Sequence, residues 1–202
     1  MEKIDYKKSA ELGYLASPKR VEAVCIPPMN FLMIDGTGDP NREPAYALAV
    51  SALFSLSYRV KFAVKKGESG LDYAVMPLEG LWWAEDMSQF NTEDKSNWLW
   101  TLMMMQPPCV SAEMVEAQKA ELSRQTPSAT LALVRFAEFS EGWCAQTLHV
   151  GPFTAEGPTI QRVHQFIEKE HHLSGKHHEI YLSDIRKADP AKWRTIIRQP
   201  FG

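Results

Sequence analysis

The first part of the chain alternates between a strand-like and a helix-like pattern of apolar positions. The β-branched stretch from Val21 to Ile34 predicts a strand that is entered at or just after Pro27-Pro28. After a turn rich in Gly and Asp, apolar residues recur every three or four positions from Pro44 to Val64, which predicts an amphipathic helix. Proline at its start and Gly67 after its end are typical of helix boundaries.

The next pattern is a set of short apolar runs rich in Trp and Met. Runs at residues 73–76, 81–84 and 97–105 predict strands that are separated by Gly or Pro. Ser111, with an acidic residue in the following turn, predicts the N-cap of a helix that runs to about Gln125.

The last third of the chain repeats the order of strand, helix and strand. Residues 131–139 and 143–150 predict two strands around a hairpin turn at residues 140–142. Apolar residues on one face predict a helix over about 158–172, and residues 179–182 predict a further strand.

The two halves have the same order of elements. Each has a strand, a turn with Gly and Pro, a helix begun by proline and a further strand, and Pro44 aligns with Pro158. We therefore expect a single α+β domain over all 202 residues, built as a pseudo-twofold duplication with a ligand cleft. The first half covers about 21–106, a linking helix about 111–125, and the second half about 130–200.

Composition and charge argue against a nucleic-acid partner. Hydrophobic residues make up 45% of the chain and charged residues 23%, which is ordinary for a globular protein. Lys and Arg number 22 against 25 Asp and Glu, so there is no cationic excess to displace counterions from phosphates.

The termini and cysteines predict a cytoplasmic protein that does not associate with a membrane. No run of eighteen apolar residues occurs, and the charged N-terminus lacks the apolar region of a secretory signal. Cys25, Cys109 and Cys144 are odd in number and far apart, which favours reduced thiols. The oligomeric state cannot be inferred from these features.

Tryptophan is concentrated in one part of the sequence. Trp82, Trp83, Trp98 and Trp100 lie within nineteen residues and are followed by a Met run that includes Met103. On a regular strand Trp98 and Trp100 share one face, whereas Trp82 and Trp83 point to opposite faces. Two interpretations are open: a core of large aromatics, or one wall of an apolar pocket for small molecules.

Glu179 is the carboxylate that the sequence favours for ligand binding or acid–base chemistry. Glu179 and Tyr181 share a face of the strand predicted at residues 179–182. If that face looks into a cleft, burial would raise the pKa of Glu179, and the carboxylate could pair with a cationic ligand or act as a general acid or base. The alternative is an exposed glutamate on an edge strand.

Metal and nucleophile motifs are weak by comparison. His164, Glu168 and His172 have i, i+4, i+8 spacing, but this is not a recognised ligand pattern, and solvated histidines at a helix end are the simpler interpretation. The sequence contains no G-x-S-x-G, P-loop or G-x-G-x-x-G motif. We expect no metal and no cofactor.

Four segments of the chain resemble a known family. The segments Met29–Asn41, Met76–Trp83, Gly175–Asp184 and Thr195–Pro200 are similar to the GyrI-like small-molecule-binding superfamily, and in particular to its stand-alone proteins of about this length. The resemblance covers nearly the whole chain, and the last two segments are the most specific to that branch.

The resemblance implies a fold and a chemistry. The fold would be two β-α-β-β units with antiparallel sheets in pseudo-twofold relation, with a central ligand cleft between them. In ligand domains of multidrug-responsive regulators, a glutamate in an E-x-Y strand meets cationic aromatic drugs, and Glu179 with Tyr181 matches that position. The stand-alone branch includes hydrolases that open the cyclopropane ring of DNA-alkylating cyclopropanoids.

Two functions of different class are therefore predicted. In the first, a hydrolase for cyclopropanoids or similar aromatic electrophiles, Glu179 and Tyr181 direct water onto the strained ring. In the second, the cleft binds, sequesters or senses hydrophobic or cationic aromatic molecules without chemistry. A gyrase-interacting protein is a weaker third hypothesis, and a DNA-binding regulator is not expected because no segment remains for a helix-turn-helix. The expected ligand contacts are Tyr46, Trp82, Trp83, Trp100, Met103 and His177.

Overall fold

A computed structural model describes residues 3–87, 94–126 and 128–202, which form two compact units. Each unit is assembled from three stretches of chain. Unit 1 comprises Met1–Tyr6, Met29–Met76 and Trp82–Phe139, and unit 2 comprises Lys7–Pro28, Pro77–Leu81 and Ser140–Gly202.

Eight strands and four α-helices occur in the described part of the chain, which confirms the α+β class. The helices are α1 (Pro44–Lys66), α2 (Ala112–Gln125), α3 (Ala129–Ala132) and α4 (Gly157–Ile167). The strands are β1 (Glu22–Ile26), β2 (Met29–Thr37), β3 (Leu78–Trp83), β4 (Leu99–Gln106), β5 (Arg135–Phe139), β6 (Gly142–Val150), β7 (His177–Tyr181) and β8 (Arg194–Pro200).

Unit 1 is built around β2, which pairs antiparallel with β4 on one side and β5 on the other. Helix α1 contacts β2 and β4, and its residues Leu53, Leu56 and Val60 are fully buried. By length and composition alone α1 could cross a membrane, but core helices of soluble proteins share both properties. Its buried apolar face within unit 1 is the arrangement expected of a core helix.

An ion-pair group joins the last turns of α1 to the segment that follows. Asp72 Oδ1 lies 2.9 Å from Lys61 Nζ, and Asp72 Oδ2 lies 2.6 Å from Lys65 Nζ. Hydrogen bonds from Lys65 and Lys61 lower the pKa of Asp72 to about 2. Two ion pairs therefore hold the segment after α1 against the last turns of that helix.

Unit 2 is an antiparallel sheet in the order β1-β6-β8-β7, and the first residues of β3 lie beside β7. One face of this sheet is covered by α4, whose Val163 and Ile167 pack on Ala145 and Ile197. Residues 7–20, here called the N-terminal segment, hydrogen-bond to side chains that lie on the other face.

Several predicted elements differ in their bounds or partners. The strand expected just after Pro27-Pro28 is β2, which pairs with β4 and β5, but the residues before the prolines form a separate strand, β1, which pairs with β6. Proline supplies no N–H to a ladder, so the chain changes partners there. The strand expected at 73–76 is a single bridge between Tyr73 and Ile4.

Two predictions for the second half were also wrong in detail. The strands around residues 140–142 do not pair as a hairpin, because β5 pairs with β2 and β6 pairs with β1 and β8. Helix α4 ends at Ile167 rather than near His172. The next positions on its apolar face are the polar Glu170 and His171, so there is nothing further to bury. The single-domain organisation, the pseudo-twofold relation and the central cleft stay predictions.

Candidate functional site

Strand β7 places three of the predicted residues on one face of unit 2. Because side chains alternate along a strand, His177, Glu179 and Tyr181 point one way, and His178 and Ile180 point the other. We call His177, Glu179 and Tyr181 the Glu179 group. Glu179 lies opposite Ile197 of β8, and Ile197 packs against α4, so this group is on the helix-covered face of the sheet.

The carboxylate of Glu179 is held by both of its neighbours. Tyr181 donates its hydroxyl hydrogen to Glu179 Oε2 over 2.7 Å, and His177 Nε2 lies 3.2 Å from Glu179 Oε1. The Glu179 side chain is 15% exposed and the His177 side chain 7% exposed. Two bonds to one partly buried carboxylate fix its orientation, as both a general base and a counter-ion require.

Two aromatic residues that the sequence analysis did not select lie next to this group. Phe153, in the turn before α4, meets Tyr181 edge-on with ring centroids 5.5 Å apart, and Trp193 lies 4.9 Å from Phe153. Trp193 is itself fixed by donation from its Nε1 to the carbonyl oxygen of Ala188. No periodic pattern connects Phe153 and Trp193 to β7, so only the tertiary fold reveals an aromatic surface beside Glu179.

The histidines of α4 do not form the arrangement that their spacing suggested. The helix ends before Glu168 and His172, so only His164 is helical. Its Nε2 is buried with no hydrogen-bond partner in the described structure, and burial and the nearby His177 lower the pKa of His164. Among the residues that the structure describes, no three His, Cys, Asp or Glu side chains are placed to hold a metal ion.

The predicted aromatic contacts lie together in unit 1. Tyr46 stacks on Trp82 with ring centroids 6.0 Å apart and meets Trp100 edge-on at 5.4 Å, and Trp82 meets Trp98 at 5.6 Å. We call Tyr46, Trp82, Trp98 and Trp100 the aromatic cluster. Trp83 is half-buried at the end of β3.

Burial divides these residues into inner and outer members. Met103 is fully buried and Trp100 is only 1% exposed, so both pack within unit 1, and direct ligand contact by them stays a prediction. The indole of Trp100 occupies the space where Gly36, its partner across the β2–β4 ladder, has no side chain. The Nε1 of Trp100 is buried and makes no hydrogen bond in the described structure.

A surface cavity opens at the outer end of the aromatic cluster. Its volume is about 380 Å³, and its lining includes Trp98, Thr37 and the acidic residues Glu85 and Asp86. The ammonium group of Lys95 lies 4.6 Å from the centre of the Trp98 ring. One face of the Trp98 ring is therefore already in contact with a cation, and acidic residues line the cavity beside the ring.

Comparisons with known proteins agree with the fold. Residues 20–201 match the GyrI-like small molecule binding domain. The fold is similar to that of an uncharacterized conserved protein from Listeria innocua, with 41% identity, a TM-score of 0.90, and coverage of 99% of this chain and 100% of that one. It is also similar to two structures described as hydrolases from Listeria innocua. The first has 38% identity and a TM-score of 0.84, and the match covers 99% of this chain and 100% of that one. The second has 41% identity and a TM-score of 0.85, and the match covers 100% of both chains. No curated protein matches the chain.

Proposed function

This chain belongs to the family of GyrI-like small-molecule-binding domains, and on that premise we propose that it is a hydrolase for flat aromatic electrophiles. The substrate class is cyclopropanoids of the DNA-alkylating type, and the reaction is ring opening by water. The hydrolase description of two relatives supports a hydrolytic activity, although it concerns those proteins. We also propose that the protein acts in the cytoplasm with its three cysteines free, as they are in this structure.

The observation that carries this proposal is the oriented carboxylate of Glu179. Tyr181 and His177 each hold one of its oxygens, at 2.7 and 3.2 Å, so the group does not need to be ordered during the reaction. Phe153 and Trp193 provide flat apolar surface beside Tyr181, which suits a planar ligand.

The proposed step conserves atoms and charge. Glu179 accepts a proton from water as the water oxygen forms a bond to the methylene carbon of the cyclopropane. The strained carbon–carbon bond breaks, and its electron pair passes through the conjugated ring to the carbonyl oxygen, which becomes a phenolate. Glu179 then releases its proton to the solvent and the phenolate takes one up, so the product is the substrate plus one water and the carboxylate is restored. Tyr181 keeps the carboxylate aimed at the water.

The test is ring opening of a duocarmycin-type cyclopropanoid, followed by mass spectrometry. General base catalysis contributes about 10²–10⁴-fold, so Glu179→Gln should lower the rate by about 10²-fold or more. Tyr181→Phe, which removes one hydrogen bond to a charged group, should lower it about tenfold. Glu170→Gln, at an exposed glutamate of the same unit, is the matched control and should leave the rate unchanged. A Glu179→Gln protein as fast as wild type would refute the assignment.

The cavity beside Trp98 favours a second candidate function: binding of cationic aromatic molecules without chemistry, for sequestration or sensing. The aromatic cluster supplies the apolar face, and Glu85 and Asp86 supply negative charge. Ethidium should then quench tryptophan fluorescence and be recovered unaltered. Trp98→Leu should weaken binding about tenfold or more, since a cation–π contact is worth up to ~2 kcal/mol. Trp143→Leu, at an exposed tryptophan of unit 2, is the control.

A further inference from the structure

Five polar side chains form a buried cluster on the face of β7 opposite Glu179. Each comes from a different part of unit 2: Tyr14 from the N-terminal segment, Glu79 from β3, Glu141 from the residue before β6, His178 from β7 and Arg198 from β8. Tyr14, Glu79, His178 and Arg198 are at most 2% exposed, and so is the side chain of Glu141. Water is therefore excluded from the charges.

Both ring nitrogens of His178 face carboxylate oxygens. Nδ1 lies 2.9 Å from Glu141 Oε1, and Nε2 lies 3.0 Å from Glu79 Oε2. A neutral imidazole carries a single N–H, so its other nitrogen would present a lone pair to a carboxylate. With both carboxylates ionised, only the imidazolium donates at both positions, and the geometry therefore favours a protonated ring.

The remaining bonds of the cluster complete its balance of charge. Arg198 donates from Nη1 to Glu141 Oε2 over 3.0 Å and from Nη2 to the carbonyl oxygen of Gly13 over 2.7 Å. Tyr14 donates to Glu79 Oε1 over 2.6 Å. Two carboxylates are thus matched by one guanidinium and one imidazolium, which is how a buried charge cluster avoids a large desolvation cost.

The protonation states of the neighbours are consistent with this balance. Burial opposes a charge on His178, but Glu141 and Glu79 outweigh it and raise the His178 pKa. Burial likewise opposes a charge on Glu141, but His178 and Arg198 hold its pKa near 2. The Tyr14 hydroxyl and the nearby Cys144 thiol have raised pKa values and stay neutral.

We propose that His178 is a positioning residue for the Glu179 group, and that it works as a buried imidazolium clamping β7 between Glu79 and Glu141. This inference rests on the function proposed above, because it assigns a task to the residue between His177 and Glu179 in the chain. Loss of the proton replaces one N–H···O bond with a lone pair facing a carboxylate. The strand then has to move, and the carboxylate on its other face moves with it.

The substitution Glu79→Gln removes the extra proton of His178 but keeps the hydrogen bonds of the cluster. In Glu79→Gln, the amide oxygen still accepts from Tyr14, and the amide N–H donates to Nε2 of a neutral His178. The Nδ1–H of that ring still donates to Glu141, which keeps its pair with Arg198. The variant preserves every bond of the clamp with one proton and one negative charge fewer, so it should fold and bind as wild type does.

The experiment compares wild type with Glu79→Gln in solution. Histidine ¹⁵N NMR reads the protonation of both His178 nitrogens while the pH is raised from about 7.5, above the usual His pKa, until that ring deprotonates. The second readout is the rate of cyclopropanoid ring opening in excess of the rate without protein at the same pH, because Glu179 is the proposed base for that step. In wild type both nitrogens should be protonated at the start, and this rate should fall about tenfold as His178 loses its proton. In Glu79→Gln the ring should be neutral throughout, and the rate should not fall.

Unfolding supplies a readout that needs no ligand. The pKa of His178 is higher in the native state than in the unfolded state. Between these two pKa values the native state therefore holds one more proton than the unfolded state. The folding equilibrium constant of wild type should therefore fall tenfold per pH unit there, and that of Glu79→Gln should not.

The outcomes separate this inference from the proposed function. A neutral His178 ring in wild type near pH 7.5 refutes the imidazolium. A ring-opening rate that stays level while the wild-type ring deprotonates, a rate that falls equally in both proteins, or wild-type unfolding before the ring titrates would each refute the positioning role. If neither protein opens the cyclopropanoid at any pH, the proposed hydrolysis fails and the positioning role fails with it, and the NMR and unfolding data still test the imidazolium.

Discussion

The sharpest test of the packing in unit 1 is the substitution Gly36→Ala. A Cβ built on Gly36 overlaps Cη2 and Cζ2 of Trp100 and lies 2.6 Å from its Cζ3, closer than Cβ atoms approach other heavy atoms. The indole cannot easily withdraw, because it is 1% exposed, its backbone pairs with Gly36, and Tyr46 lies 5.4 Å away.

The expected cost follows from overpacking. Adding a methyl to a filled core costs about 1–3 kcal/mol, and a clash with a rigid ring belongs at the upper end of that range. For a chain of this size, about 2–3 kcal/mol lowers the unfolding temperature by about 4–12 °C. Urea unfolding followed by tryptophan fluorescence gives the free energy of unfolding of Gly36→Ala against wild type.

A double-mutant cycle with Trp100→Phe tests the stated cause. A phenyl ring lacks the outer indole atoms that the new Cβ would meet, so Gly36→Ala should cost less than about 0.5 kcal/mol in that background. The Phe variant also removes a buried indole N–H that makes no hydrogen bond in the described structure, which offsets part of its own cost. Equal costs of Gly36→Ala in both backgrounds would refute the reasoning.

Two further predictions concern charge and thiol chemistry. The pKa of Asp72 is lowered to about 2, so its stabilising contribution is complete above its unfolded pKa and is lost as the pH falls through about 2. Asp72→Asn should therefore be less stable than wild type near neutral pH, and the difference in urea midpoint should vanish in acid. Native protein should react with Ellman's reagent at Cys25 and Cys109, which are exposed. Cys144 is buried with its pKa raised to about 12, and it should react only after unfolding; three fast thiols in native protein would contradict this.

Local physics made part of this structure predictable. The apolar spacing and terminal residues of α1 mark a helix that the structure places at Pro44–Lys66. Ser111 caps α2 by accepting a hydrogen bond from the Met114 N–H, as its residue type and position predict. The period of two in β7 brings Tyr181 to Glu179. Each of these signals depends on residues a few positions apart.

The partners of distant elements were not predictable in this way. Alternation identifies β5 and β6 as strands but does not choose their neighbours, and the turn between them has the composition of a hairpin. Tyr14 lies in a polar segment that predicts an arm, and Glu79 lies between two short apolar runs. Each residue of the buried cluster is typical of a surface position until the others are placed around it.

The buried cluster also determines when unit 2 can fold during translation. Tyr14 bonds to a residue 65 positions later, and Arg198 bonds to the carbonyl of Gly13 across 185 positions. The N-terminal segment leaves the ribosome long before its partner on β8. Contacts between such distant residues form slowly, so unit 2 cannot close until translation of these residues is complete. A nascent chain stalled before β8 would leave β6 and β7 without the strand that pairs with both, and unpaired strand edges make such a chain prone to aggregation.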